Sequence, residues 1–342
     1  MSAVRVPVAP DVEGLAAAAA ALRAGRLVAF PTETVYGLGA HALDPAAVAR
    51  VFAAKGRPAD NPLIVHLGDA SQVSRVVARV TPLAARLARR LWPGPLTLVL
   101  EARPEVPRIT TGGLSTVAVR VPDHPVATAL LQAADVPVAA PSANRSGRPS
   151  PTTAEHVVAD LGDLVDVVLD GGPCPVGVES TVVDVRGDRP IVLREGTVTR
   201  EQLGLADGTS GGADAARLAA SPGTRYRHYA PACTIEIVPD GHGPKRAGAL
   251  RDTGRRVGLV ARDGAPPGVV EVARFADAAE LARVLYGAFR DAEAAGVELL
   301  VVEAVPEAGV GRAVMDRLRR AAGSHGTGSS STPAVEPGPE QG

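Results

Sequence analysis

Small hydroxyl, carboxylate and cationic side chains in this sequence cluster directly after short apolar runs. The first cluster, Pro31–Gly39 (PTETVYGLG), follows an apolar run that ends at Phe30, and it carries Glu33, Thr34 and Tyr36. In open α/β sheets, ligands bind at the carboxyl ends of the strands. This density of hydrogen-bonding side chains therefore favours a ligand site over an ordinary polar turn.

Two cations, Lys55 and Arg57, stand two residues apart near the end of a predicted helix. They can converge on one anion, because arginine supplies a planar fork of donors and lysine a compact charge. The alternative is that they complement the negative end of the helix dipole. Only two of the 36 basic residues are lysines. A lysine at this position is therefore unusual for this chain, which favours a phosphate site.

Two further candidates lie in strand patterns. Arg120 lies within an apolar strand pattern, and His66 ends another. A buried arginine needs an anionic partner, which is either a structural carboxylate or a ligand. A single strand histidine is commonly a satisfied polar residue, so only the neighbouring clusters make His66 a candidate for binding.

The loop Pro141–Thr152 (PSANRSGRPSPT) also follows an apolar run. It offers donors without bulk at Ser142, Asn144 and Ser150, and Gly147 allows close approach of a backbone. A cradle for phosphate or sugar is the functional interpretation. A capped loop before the next helix is the structural alternative.

Two further residues and one segment are candidates for binding only when they are considered together with the other clusters. Ser180 begins a strand pattern and Arg194 ends one, and neither would be notable alone. The segment Ser221–Pro231 (SPGTRYRHYAP) places two tyrosines, two arginines and a histidine in eleven residues. A connection between domains is exposed unless it docks. This segment therefore predicts either a lid over a cleft or a basic strip that binds RNA.

The sequence argues against two common nucleotide-binding devices. Gly37, Gly39 and Ala42 match the spacing of the dinucleotide fingerprint, but six residues separate the strand from its first glycine. That fingerprint needs its first glycine immediately after the strand. The Gly-Lys pair of the phosphate-binding loop never occurs, so a nucleotide would have to bind in another way.

These clusters need a scaffold of alternating helices and strands. Such alternation fills about the first 205 residues and starts again near Cys233. It predicts an α/β fold with a sheet that is at least partly parallel. The predicted organisation is a catalytic domain (1–205), a linker and lid (206–232), a small Rossmann-like domain (233–323) and a disordered tail (324–342).

Composition limits the protein class further. The chain has 342 residues, a formal net charge of −1 and 3% aromatic residues. This charge excludes a globally basic nucleic-acid binder, and the few aromatics argue against a stacking surface for single strands. No apolar run approaches the about 18 residues of a membrane span. We therefore expect no membrane partner and a cytoplasmic location.

Six of these segments, in this order, resemble the long-form threonylcarbamoyl-AMP synthases, in which a YrdC-like domain precedes a C-terminal domain. The resemblance spans roughly residues 12–323. It rests on PTETVYGLG, on the K-x-R and S-x-N pair (Lys55, Arg57; Ser142, Asn144), on ESTVVD and on SPG-x-x-Y-x-HYAP. It implies a twisted mixed sheet with a large basic cleft, plus a smaller Rossmann-like α/β domain.

The implied enzyme is a nucleotidyltransferase. It would make L-threonylcarbamoyladenylate from L-threonine, bicarbonate and ATP and release pyrophosphate. The product would serve N6-threonylcarbamoyladenosine formation in tRNA, through a downstream threonylcarbamoyl transferase complex and with a possible direct tRNA contact. The resemblance implies no metal site beyond the Mg²⁺ that ATP carries.

The resemblance also implies roles for individual residues. By position, the threonine-binding residues are Thr34, His66, Arg120, Ala140 and Ser180. The ATP-binding residues are Arg57, Asn61, Thr116, Ser142, Asn144, Ser150, Arg194 and Tyr229. Lys55 and Arg57 would be catalytic.

Two alternatives stay open at this point. An RNA-binding or ribosome-assembly protein could use the basic cleft, and it would show salt-dependent RNA binding without ATP turnover. Hydrogenase-maturation carbamoyltransferases contain a related domain, but their acylphosphatase-like and zinc-finger segments are not visible in this sequence.

Overall fold

The structure is a computed structural model that describes residues 8–205 and 229–323. The predicted linker and lid (206–232) lies outside these ranges except for its last four residues. The predicted disordered tail (324–342) lies wholly outside them. The two described ranges form two α/β units, each built around its own sheet.

Within residues 8–205, nine strands form one mixed sheet in the order β7-β1-β2-β6-β3-β5-β4-β8-β9. Their bounds are β1 (Val28–Phe30), β2 (Gly37–His41), β3 (Ile64–His66), β4 (Leu96–Glu101), β5 (Thr116–Arg120), β6 (Val138–Ala139), β7 (Val167–Val168), β8 (Thr181–Asp184) and β9 (Ile191–Arg194). The pairs β1–β7, β3–β5 and β4–β8 are parallel and the others antiparallel. The predicted mixed sheet is thus confirmed.

Local signals account for the helices of this range. Their bounds are α1 (Val12–Arg23), α2 (Pro45–Lys55), α3 (Pro82–Leu91), α4 (Pro125–Ala134) and α5 (Ala154–Leu161), with 3₁₀ turns at Ala70–Arg75 and Gly162–Leu164. In α2, Asp44 accepts hydrogen bonds from the first backbone N–H groups, and Gly56 ends the helix at φ +61°. Because Asp44 and Gly56 define both ends, Lys55 falls in the last turn of α2.

Strand β2 was not predicted from the sequence. It occupies the second half of the PTETVYGLG cluster, where glycines weaken any local strand signal. Gly39 is needed for packing, since a Cβ there would lie 2.8 Å from the Phe30 ring and 2.9 Å from Val138. The sequence therefore shows a polar cluster where the structure has a turn followed by a buried strand.

Residues 229–323 form a four-stranded parallel sheet in the order β10-β13-β11-β12. Its elements are β10 (Thr234–Val238), α6 (Gly243–Arg251), β11 (Val257–Ala261), β12 (Val270–Arg274), α7 (Ala278–Ala294), β13 (Leu299–Glu303) and α8 (Gly311–Ala322). This arrangement confirms the predicted smaller α/β unit. Helix α6 was missed, since it has few apolar residues in a regular period.

The second unit packs against the first through apolar contacts and buried ion pairs. Val35 and Val178 of the first unit belong to the apolar cluster that α7 and α8 form in the second. Arg290 on α7 reaches Asp160 on α5 at 2.8 Å. None of the helices in the two described ranges is long and apolar enough to cross a bilayer.

Gly177 of the first unit lies directly against the backbone of α7 in the second unit. Its φ is +82°, and an added Cβ would lie 2.4 Å from the Ala282 carbonyl oxygen and 2.5 Å from Arg283 Cα on α7. Both neighbouring atoms are backbone atoms, so no side chain can move aside. Only glycine fits at this position without separating the units.

We expect Gly177→Ala to destabilise the protein more than Gly172→Ala. Both replacements put alanine at a positive φ, which costs about 1–2 kcal/mol. Gly172 (φ +79°) has nothing within 4 Å of its added Cβ, whereas Gly177→Ala should cost about 1–3 kcal/mol more from overpacking. Denaturant unfolding of both variants measures the difference. Equal losses would contradict close packing at Gly177.

Candidate active site

A polar pocket opens where several strands of the first sheet begin or end. Its empty volume, counted together with the adjoining space open to solvent, is about 660 Å³. β3 and β5 run parallel, and their register pairs His66 with Arg120 at the strand ends. The pocket is lined by Thr32, Thr34, Val35, Gly37, Arg57, Pro62, Leu63, Ile64, His66, Arg120, Ala140, Pro141, Ser142, Asn144, Arg148, Ser150, Glu179, Ser180, Arg194 and Tyr229.

Most of the predicted site residues meet in this pocket. Eleven of the fourteen line it: Thr34, Arg57, His66, Arg120, Ala140, Ser142, Asn144, Ser150, Ser180, Arg194 and Tyr229. The other three, Lys55, Asn61 and Thr116, are buried nearby but do not line it. Four arginines against one glutamate make the lining basic.

Arg120 is the charged centre of one end of the pocket. Its Nη2 lies 2.7 Å from Oε1 of Glu33, its Nη1 donates to Thr34 Oγ1 at 3.0 Å, and its Nε donates to the Gly94 carbonyl oxygen at 3.3 Å. A structural carboxylate is therefore one partner of this arginine. A guanidinium has five N–H donors, so these three contacts leave capacity for a second anion.

Glu33 was named in the sequence motif but was not a predicted site residue. Its side chain is 8% exposed and pairs with that of Arg120, which is 4% exposed. Glu33 does not line the pocket, so its carboxylate balances the Arg120 charge from outside the lining. Its place beside the Thr residues of PTETVYGLG was the only signal in the sequence.

His66 is a neutral group beside Arg120. Burial and the neighbouring Arg120 charge lower the pKa of its imidazole to about 3. Its Nδ1 lies 3.2 Å from the Ile64 carbonyl oxygen. A carbonyl can only accept, so Nδ1 carries the proton and Nε2 is left as an acceptor.

Ser180 and Arg194 form a second polar group on the wall built by β8 and β9. Arg194 Nη2 donates to the Ser180 carbonyl oxygen at 3.0 Å and to Ser180 Oγ at 3.1 Å. Ser180 Oγ also lies 2.8 Å from Thr97 Oγ1 on β4. Burial lowers the pKa of the Arg194 guanidinium below its ordinary value, and at neutral pH it stays a cation.

Lys55 holds the Pro141–Thr152 loop in place through hydrogen bonds. The Lys55 Nζ donates to the Ser142 and Asn144 carbonyl oxygens, both at 2.5 Å. Ser142 Oγ in turn donates to Asn144 Oδ1 at 2.5 Å, and Asn144 Nδ2 donates to the Arg148 carbonyl oxygen at 2.9 Å. These bonds fix the loop that carries the predicted phosphate cradle.

Lys55, which the sequence places with Arg57 in a phosphate site, does not line the pocket. Its side chain is buried, and desolvation lowers the pKa of its ammonium group well below the ordinary value. Its neighbour Arg57 does line the pocket, where its Nη2 donates to the Pro62 carbonyl oxygen at 3.0 Å. Of the two cations, Arg57 is the one placed to meet a ligand.

Asn61 and Thr116 lie beside the pocket. The Asn61 carbonyl oxygen accepts from Arg57 Nε at 3.2 Å. Thr116 begins β5, four residues before Arg120, on the same face of the strand. Thr116 is buried and lies outside the pocket lining.

The remaining wall is shared with the second unit. Ser150 Oγ donates to Glu179 Oε1 at 2.6 Å. Tyr286 on α7 and Arg317 on α8 donate to Glu179 at 2.9 Å and 2.8 Å. Tyr229 lines the pocket beside them. Sequence reasoning missed Glu179, Tyr286 and Arg317.

The described residues contain no group of three or more His, Cys, Asp or Glu side chains that could hold a metal ion. The pocket instead collects cations, hydroxyls and one neutral histidine. This donor set can bind carboxylate and phosphate groups and stabilise developing negative charge. It contains no cysteine that could act as a nucleophile.

Comparisons with known proteins agree with the fold. A family model described as "Telomere recombination" matches residues 20–196. A second, described as "Threonylcarbamoyl-AMP synthase, C-terminal domain", matches residues 198–323. Together they cover nearly all of both described ranges.

Curated relatives match along most of their length. The threonylcarbamoyl-AMP synthase of Pyrococcus abyssi is 43% identical over 321 residues, covering 90% of this chain and 93% of the relative. That of Bacillus subtilis is 44% identical over 324 residues, with the same coverage of 90% and 93%. The crystal structure of P. abyssi Sua5 complexed with L-threonine has a TM-score of 0.85 at 42% identity, covering 93% of this chain and 97% of that one. The chain therefore belongs to the threonylcarbamoyl-AMP synthase family, in the long form that carries the C-terminal domain.

Proposed function

We propose that this protein is a nucleotidyltransferase that makes L-threonylcarbamoyladenylate from L-threonine, bicarbonate and ATP. One observation carries the proposal. A single pocket joins an end suited to an amino acid, around Arg120, to an end suited to phosphates, around Arg57 and Arg194. The names of the relatives, and the L-threonine bound to the P. abyssi protein, support the same reaction.

At the amino-acid end, Arg120 would bind the threonine carboxylate through its remaining N–H donors. Thr34, His66, Ser180 and the backbone at Ala140 would contact the rest of the substrate. His66 is neutral at physiological pH because its pKa is about 3. It can therefore accept a hydrogen bond from the substrate without adding charge beside Arg120.

At the nucleotide end, Arg57 and Arg194 would neutralise phosphate charge, and Ser142, Asn144 and Ser150 would supply donors without bulk. Asn61, Thr116 and Tyr229 would hold the rest of ATP. Phosphoryl-type transfers depend on positioning and charge neutralisation more than on a protein nucleophile. ATP would enter as its Mg²⁺ complex, so the metal is part of the substrate.

The reaction then takes place in two steps, carbamate formation and transfer of the adenylyl group. Bicarbonate takes up a proton and loses one water to give carbon dioxide. The threonine amine adds to that carbon dioxide, a C–N bond forms, and the nitrogen loses a proton to leave a carbamate. A carbamate oxygen attacks the α-phosphorus of ATP, the bond to the β-phosphate oxygen breaks, and pyrophosphate leaves. Arg57 and Arg194 stabilise the charge that develops on the phosphate oxygens. Lys55 contributes by holding the 142–144 loop, and its predicted direct catalytic role stays a prediction.

The wider setting follows from the product. Formation of N6-threonylcarbamoyladenosine in tRNA would need a downstream threonylcarbamoyl transferase complex. That partner, a direct tRNA contact and the cytoplasmic location all stay predictions. The alternative of an RNA-binding or ribosome-assembly protein is not favoured, because the key arginines Arg120 and Arg194 are buried and cannot lie along an RNA backbone.

Substrate dependence tests the proposal directly. The protein is incubated with Mg-ATP and bicarbonate, with each amino acid added in turn, and pyrophosphate release is measured. We expect release with threonine, and little release with serine or valine. Equal rates with serine would contradict threonine specificity, and release that does not require bicarbonate would contradict the carbamate step.

Arg57→Ala tests the nucleotide end. Removing a charged hydrogen-bond donor of about 1.5–3 kcal/mol should lower pyrophosphate release about 10- to 100-fold. Threonine binding, measured by calorimetry without ATP, should stay unchanged. Arg79→Ala is the matched control, because Arg79 is exposed and lies outside the pocket. Wild-type release in Arg57→Ala would remove Arg57 from the mechanism.

His66→Gln tests the neutral histidine through stability. The pKa of His66 is about 3 in the folded state, while an unfolded histidine titrates near about 6.5. Between these two pKa values the imidazole is protonated in the unfolded state and stays neutral in the folded state. Acid therefore lowers the free energy of unfolding. At about pH 5 this loss is about 2 kcal/mol for His66. Between neutral pH and pH 5, wild type should therefore lose about that much more stability than His66→Gln, and parallel curves would contradict the low pKa.

A further inference from the structure

The carboxylate of Glu179 joins the pocket to the second unit. Glu179 is 7% exposed and lines the pocket next to Ser180. It accepts from Ser150 Oγ on the pocket side at 2.6 Å. From the second unit it accepts from the Tyr286 hydroxyl at 2.9 Å and from Arg317 Nε at 2.8 Å. The pocket wall is therefore completed by side chains of both units.

Electrostatics keep Glu179 ionised. Burial alone would raise the pKa of its carboxyl group, but the Arg317 and Arg194 charges outweigh burial and hold that pKa at about 2. Arg317 is 0% exposed. A buried charge needs a well-placed opposite charge, and Arg317 has two: Glu179 at 2.8 Å and the neighbouring Asp316, whose Oδ2 accepts from Arg317 Nη1 at 2.6 Å.

Arg317 also holds Tyr229. The Arg317 guanidinium carbon lies 5.4 Å from the centre of the Tyr229 ring. Tyr286 also stacks on that ring, with centroids 5.4 Å apart and planes at 27°. Tyr229 has φ +70°, a conformation that a bulky residue keeps only where its surroundings enforce it. The second unit supplies the surroundings.

A third contact ties Arg317 to the strand that carries Arg194. Arg317 Nη2 donates to the Glu195 carbonyl oxygen at 2.9 Å, one residue after Arg194. Arg317 itself does not line the pocket. One guanidinium thus contacts Glu179, Tyr229 and the end of β9, and each of these belongs to or adjoins the nucleotide end of the pocket.

We propose that Arg317 of the C-terminal domain is a positioning residue for ATP. It fixes Glu179, and through it Ser150, together with the Tyr229 ring and the Arg194 segment, in the arrangement that binds the nucleotide. The C-terminal domain then completes the nucleotide end and leaves the threonine end to the first unit. This inference rests on the proposed function, because it assumes that ATP binds between Arg57, Arg194 and Tyr229.

The test compares Arg317→Met with Arg319→Met in the full-length chain. Arg319 is the control: it is an arginine of the same helix, it pairs with Glu307 of the second unit at 3.0 Å, and it lies outside the pocket lining. Calorimetry measures the Kd for Mg-ATP without threonine or bicarbonate, and separately the Kd for L-threonine.

We expect Arg317→Met to weaken ATP binding about tenfold or more, the effect of losing one desolvated cation–π contact and one charged contact. Its threonine Kd should stay within about twofold of wild type, and Arg319→Met should leave both Kd values within about twofold. Arg317→Lys, which keeps the charge but not the fork, should fall between wild type and Arg317→Met.

A double variant keeps the test decisive if Arg317→Met does not fold. Glu179→Gln/Arg317→Met removes both charges of the pair, keeps hydrogen-bonding atoms for Ser150 and Tyr286, and leaves no charge of the pair unpaired. It should fold and still bind ATP weakly, with threonine binding intact.

Unchanged ATP binding in Arg317→Met, or in the double variant if Arg317→Met does not fold, would overturn the inference, as would equal losses in Arg317→Met and Arg319→Met. A wild-type protein that binds no ATP would instead overturn the proposed function.

Discussion

The buried charge of Glu179 is the constraint on which the two-unit architecture depends. A carboxylate that is 7% exposed is stable only with close opposite charge and satisfied acceptors. The first unit offers Ser150 and the nearby Arg194, while the second offers Tyr286 and Arg317. The domains are therefore joined by an electrostatic requirement as well as by apolar packing. This requirement lies in the wall of the pocket itself.

A second buried pair organises the opposite end. Arg120 and Glu33 meet at 2.7 Å because the register of β3 and β5 and the turn after β1 bring their side chains to one edge of the sheet. Each pair neutralises its charge locally, so the pocket can be buried and still keep donors aimed at a ligand. The two ends of the pocket then differ in their chemical groups. One end has Arg120, balanced by Glu33, beside the neutral imidazole of His66, and the other end has arginines and hydroxyl groups.

Much of this arrangement could be predicted from local signals. The ends of α2 follow from Asp44, Pro45 and Gly56, and eleven of the fourteen predicted site residues line the pocket. The scarcity of lysine drew attention to Lys55, but its bonds to the 142–144 loop, made at 2.5 Å, depend on contacts far apart in sequence. Strand β2 could not be predicted because it contains glycines, which have low strand propensity. Gly39 is required there because a Cβ would collide with Phe30 and Val138. Arg317 can be recognised in the sequence as a cation on the apolar face of α8, but its contact with Glu179 cannot, because Glu179 is 138 residues away.

One pocket would join threonine, carbon dioxide and the adenylyl group of ATP. Mass spectrometry of the product formed from ¹³C-labelled bicarbonate, L-threonine and Mg-ATP tests this reaction. We expect an adduct that contains threonine, one ¹³C and AMP, formed in equal amount with pyrophosphate. Pyrophosphate accompanied by free AMP or by a threonyl adenylate without the label, when the product is trapped before hydrolysis, would contradict it.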